Sequence, residues 1–114
     1  MNKRFAEECM AKMVILIGKI RVRLPYVHSL KEKRKTVKTL TARIIRHHGA
    51  SVREVGAQEL LQMMEIGFSL TTLSEMEARD MVYRIEQTIW NTIESEGELI
   101  KYETQCILPK VREN

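Results

Sequence analysis

"MVILIGKIRVRL", residues 13–24, alternates with period two. Val14, Leu16, Gly18, Ile20, Val22 and Leu24 fall on one face, and Lys19, Arg21 and Arg23 on the other. A strand with one buried and one wet face reads this way, and Pro25 ends it. Downstream, Ser29 and Glu32 have capping-box spacing and predict a helix start. Its stripe runs through Leu30, Val37, Leu40, Thr41, Ile44 and His48, and Gly49 follows as a C-cap. "ASVREV" (50–55) is a short β-type run, "GAQELLQ" (56–62) a connection, and Met64, Ile66, Phe68 and Leu70 a second alternating strand. Ser74 and Glu77 repeat the capping box before a helix with Ala78, Met81, Val82, Ile85, Ile89 and Ile93 on its stripe, expected to close near Gly97. In "LIKYETQCIL" (99–108), Ile100, Tyr102, Thr104 and Cys106 share a side.

The order is therefore β-α-β-β-α-β, an α+β, ferredoxin-like arrangement. It predicts a four-stranded antiparallel sheet in order 4-1-3-2 with both helices on one face. Residues 13–108 form the single domain. Residues 1–12 are expected to be a flexible extension and 109–114 a tail.

At 114 residues, 44% hydrophobic and 30% charged, the composition is that of a soluble globular domain. A domain of this size buries about 65% of its unfolded surface. No apolar run approaches the roughly 18–20 residues of a membrane span, and "MVILIG" is too short for a signal-peptide core. Cys9 and Cys106 suit neither a metal pair nor a disulfide framework. The expected compartment is the reducing cytoplasm.

The net charge of +4 conceals a segregation. Residues 1–48 carry 13 Lys/Arg against 3 Glu, and residues 49–114 carry 6 Lys/Arg against 12 Asp/Glu. Either an anionic partner such as nucleic acid is implied, or basic and acidic elements neutralise each other across the fold. In "SLKEKRK" (29–35) the cations crowd a helix N-terminus, the positive end, where each costs about 0.3–1 kcal/mol. The topology brings this turn to the same end of the sheet as residues 56–62. His28, Lys31, Lys33, Arg34, Lys35, Gln58 and Gln62 are thus candidate anion- or RNA-binding residues. The alternative is internal pairing with Glu32, Glu59 and the second helix's C-terminal carboxylates.

"HSLKEKRKTVKTL" (28–40) and "SVREVGAQELLQ" (51–62) resemble the corresponding stretches of the YlxP-like family, over about residues 13–107. The resemblance implies a ferredoxin-like fold. Genes of that family tend to lie near those for translation initiation and ribosome maturation, which implies a ribosome- or RNA-linked role. The chain departs from the pattern at Ala57, Glu59, Leu61 and Met63. Leu61 replaces the family's usual Trp, so no ring is present there to stack a base.

Three functions compete. A non-catalytic RNA- or ribosome-binding module fits the basic cluster. Because Phe68 and Tyr102 fall on the helix side, such binding would rest on phosphate rather than on stacked bases. An interaction protein that self-associates fits Ile15, Ile17, Leu73 and Ile107, which should project from the open sheet face as a homodimer contact, the alternative being a cluster covered by residues 1–12. A small-anion-binding enzyme is the third. No P-loop, nucleophile elbow or catalytic carboxylate pair is present, and His47 and His48 lie about 100° apart on a helix, too divergent to share a metal. The reading is a binding module without cofactor, metal or catalytic residue.

Overall fold

The computed structural model describes residues 13–109. β1 (Val14–Arg23) lies inside a four-stranded antiparallel sheet, flanked by β3 (Met63–Thr72) and β4 (Glu98–Ile107), with β2 (Ser51–Gly56) at the edge beyond β3. The order β2-β3-β1-β4 is the expected 4-1-3-2 read from the opposite edge. Helices α1 (Leu30–His48) and α2 (Glu75–Ile93) complete a ferredoxin-like α+β fold. The extension at 1–12 and the tail beyond residue 109 lie outside the described residues. No described helix is long and apolar enough to cross a membrane.

Alternation chooses the buried face. Leu16, Ile20 and Val22 of β1 are fully buried, as are Met64 and Ile66 of β3, against Leu40 and Ile44 of α1 and Ile85 and Ile89 of α2. Each large aliphatic side chain so buried contributes about 1.5–3 kcal/mol. A one-residue slip of β1 would exchange them for Lys19 and Arg21, so the register is strongly held. Gly18 sits on the buried face because the Phe68 ring occupies the place of its side chain. That ring leans on Tyr102, with centroids 6.4 Å apart. The Tyr102 hydroxyl donates to the Val82 carbonyl at 2.8 Å, and burial raises its pKa well above the ordinary phenol value.

Both helix starts form as expected. Ser29 Oγ accepts from Glu32 N at 3.1 Å and Ser74 Oγ from Glu77 N at 3.0 Å. The returning carboxylates accept from His28 N and Leu73 N. Gly49 ends α1 with φ 66°, a left-handed conformation that suits glycine.

Two boundaries differ from expectation. α2 stops at Ile93 because Glu94 takes a positive φ (46°) and a short 3-10 turn, Glu94–Glu96, follows; Gly97, in extended conformation, ends that turn rather than α2. β4 carries an irregularity opposite Arg21 and Val22, so Leu99 rather than Ile100 packs against the core. Ile100 is correspondingly exposed. One extra residue reverses the faces beyond it.

At the far end of α1, His48 Nε2 lies 2.7 Å from Thr88 Oγ1. Burial, then the charges of His47 and Arg84, hold the His48 pKa below its ordinary value. The folded state thus favours the neutral ring and the unfolded chain binds the proton more tightly. Stability contributed by this group rises with pH from the lowered folded value to about 6.5 and is level above. In urea titrations across that range, His48→Gln should flatten the rise. An unchanged pH dependence would assign it to another group.

Candidate functional site

The sheet end that gathers β1, the start of α1 and the β2–β3 connection is built as the topology predicts. Leu24 N donates to Gln62 O at 2.9 Å, and Gln62 Nε2 donates to Pro25 O at 3.0 Å and Val27 O at 3.1 Å. Gln62 therefore straps the chain together and has no amide proton left for a ligand. This corrects its assignment as a binding residue.

Lys33 is corrected more sharply. It is only 2% exposed. Its Nζ donates to Ala57 O at 2.5 Å and Leu60 O at 2.7 Å, with Gln58 O at 3.5 Å and Glu54 Oε2 at 3.9 Å. The reason is angular. At about 100° per residue, position 33 lies between the azimuths of Leu40 and Ile44, on the buried face of α1. A charge there is tolerable only when hydrogen-bonded, and the connection supplies the acceptors. Ala57 is left-handed (φ 58°), a strained conformation for a residue with a Cβ, and its carbonyl also takes the Leu60 N–H at 3.0 Å. Glu32, expected as an internal partner for the cations, instead caps its own helix; the buried lysine pairs with Glu54.

The remaining cations face solvent. Lys31, Arg34 and Lys35 are exposed, and so is Lys38, which completes an i, i+3, i+4, i+7 series. These four lie within about 100° of arc and 10 Å of helix axis. Among the described residues none of them has a carboxylate within ion-pair distance. The His28 ring and the Gln58 side chain are exposed beside them. Lys38 escaped the sequence reading because it lies two turns beyond the capping box, although its spacing from Lys31 and Arg34 was visible.

Between α1 and the edge strand β2 runs a groove of about 480 Å³, with Leu30, Val37 and Ile45 on its walls, Arg34 and Lys38 at its rim, and Glu54 and Thr41 within it. On the other side of α1, Lys35 joins a hydroxyl-rich depression containing Thr36, Thr39, Thr92 and Ser95.

The open sheet face is polar at one end. The Arg21 guanidinium grips the Glu65 carboxylate, with Lys19 at 3.6 Å, and the Arg21 hydrogen bond holds the Glu65 pKa below the ordinary range. Lys101 and Glu103 pair at 3.3 Å. At the other end Ile15 and Ile17 are half-buried, while Leu73 and Ile107 are 70% and 42% exposed. Phe68 and Tyr102 lie under the helices, as expected. Among the described residues no three His, Cys, Asp or Glu side chains come together as metal ligands.

A family model described as "Protein of unknown function (DUF503)" matches residues 15–104. No curated protein sequence matches the chain. Among solved structures, it is similar to a hydantoinase/carbamoylase family amidase from Burkholderia ambifaria (TM-score 0.53, 8% identity), covering 85% of this chain and 28% of that one. It is also similar to At3g17210 from Arabidopsis thaliana (TM-score 0.50, 12% identity, 88% and 99% covered) and to a dimeric ferredoxin-like protein from an uncultured marine organism (TM-score 0.44, 7% identity, 88% and 99% covered). At these identities the likeness is one of fold alone.

Lys33→Met should strand the Leu60 carbonyl, leave the Ala57 carbonyl with the Leu60 N–H alone, and cost about 2–4 kcal/mol of unfolding free energy. A denaturant midpoint unchanged from wild type would remove Lys33 from this role.

Proposed function

The chain belongs to that family of unknown function, and we propose that it is a non-catalytic module that grips the phosphate backbone of RNA, as a cytoplasmic, ribosome-associated protein. The observation that carries this reading is the exposed stripe Lys31, Arg34, Lys35 and Lys38. Part of it sits on the positive end of α1, where like charge is disfavoured by about 0.3–1 kcal/mol per residue. Among the described residues no carboxylate lies within ion-pair distance of it. An external polyanion supplies the missing charge. The resemblance to the YlxP-like family, with its translation-linked gene neighbourhoods, supports the ribosomal setting.

Binding of this kind positions the protein on a strand without reading sequence and weakens steeply with salt. Replacing Lys31, Arg34, Lys35 and Lys38 by Ala, with Lys33 kept, should keep the fold and leave melting unchanged or raised. It should also lower the salt slope of single-stranded RNA binding by about 0.7 for each phosphate no longer neutralised. Wild-type binding without salt dependence, or an unaltered slope in the variant, would overturn the reading.

A second reading rests on the open sheet face. The apolar end formed by Ile15, Ile17, Leu73 and Ile107, extended by Leu108 at 48% exposure, suits self-association of two copies. Ile17→Lys should then convert a homodimer to a monomer with melting retained. Light scattering that finds wild-type monomer at high micromolar concentration counts against it.

A further inference from the structure

We infer that the groove between α1 and β2 receives one unpaired guanine base of the bound RNA, an inference that rests on the phosphate-gripping reading above. The groove, at about 480 Å³, has room for a single base. Its walls are apolar and open to solvent, with Leu30 and Ile45 exposed by 44% and 46%, which suits the faces of a flat aromatic ring. Two of its polar groups have no hydrogen bond among the described residues. The Glu54 carboxylate, 27% exposed, accepts no hydrogen bond among the described residues, and its nearest cation, Lys33 Nζ, stands at 3.9 Å. Thr41 Oγ1 is buried and also without a hydrogen-bond partner.

The polarity of the groove sorts the nucleotide. Arg34 and Lys38 at the rim attract phosphate, while Glu54 inside repels it, so the sugar–phosphate stays outside and the uncharged base enters. A carboxylate only accepts hydrogen bonds, through two adjacent oxygens. Guanine presents two adjacent donors, N1–H and the N2 amino group. Adenine and cytosine present one amino donor beside an acceptor, and uracil one imide N–H between two carbonyls. Glu54 is therefore complementary to guanine, whereas the Thr41 hydroxyl, closed to solvent, is out of reach of a base in the groove.

Fluorescein-labelled UUUGUUU, UUUAUUU, UUUCUUU and UUUUUUU, titrated by anisotropy across a salt series, test this. The guanine heptamer should bind about tenfold more tightly than the others, the discrimination of one good bidentate contact. Glu54→Gln should erase that preference and leave the salt slope intact. Thr41→Val removes only an unpartnered, solvent-closed hydroxyl, so the fold is kept, and as a groove control it should keep the guanine preference. Equal wild-type affinity for all four heptamers overturns the guanine site but leaves the phosphate stripe standing. A preference that survives Glu54→Gln also overturns it. Absence of salt-dependent binding to any heptamer overturns both readings.

Discussion

The Lys33 ammonium is the point on which one end of the molecule turns. It lies on the buried face of α1 and donates to the carbonyls of Ala57 and Leu60, so it ties the helix to a connection held internally by the single turn bond from Leu60 N to Ala57 O. Buried carbonyls need partners, and a lysine brings three donors to one point. Glu54 adds a longer electrostatic contact from β2. Through these links the start of α1, the edge strand and the 57–62 segment form one body, which gives the neighbouring groove fixed walls.

That internal use of Lys33 changes the meaning of the charge cluster around it. Five cations in residues 31–38 look like one feature in a linear reading. In the fold they separate by azimuth: one is structural and buried, and four form an exposed stripe on the opposite side of α1. Internal neutralisation then accounts for Lys33, and the proposed external anion concerns only the four exposed residues. The open sheet face divides in the same manner, with Arg21, Lys19 and Glu65 balancing one another at one end and aliphatic side chains uncovered at the other.

The groove between α1 and β2 follows from packing, whereas the depression on the other side of α1 lies against residues 24–27 and the end of α2. α1 reaches over the edge strand β2, and a short strand of six residues cannot fill the space beneath a helix of 19. Arg34 and Lys38 border one groove and Lys35 the other, so the basic stripe is the ridge between them. Charge on the ridge and acceptors in the groove give this side of the molecule a polarity that net charge alone does not express.

The sheet order, both capping boxes, the Gly49 cap and the inward aromatic pair were legible in the sequence, because period-two and period-3.6 patterns and caps are local signals. The burial of Lys33 was half legible: its seven- and eleven-residue spacings to Leu40 and Ile44 place it on the buried face, but residue type argues for solvent. Only the tertiary structure supplied the carbonyls of Ala57 and Leu60, 24 and 27 residues away, that make burial tolerable. The inward strap of Gln62, the outward turn of Ile100 at the β4 irregularity and the end of α2 at Ile93 were likewise decided there. Each depends on which backbone groups meet in space or on one extra residue in a ladder, and neither leaves a mark in the periodicity of the chain.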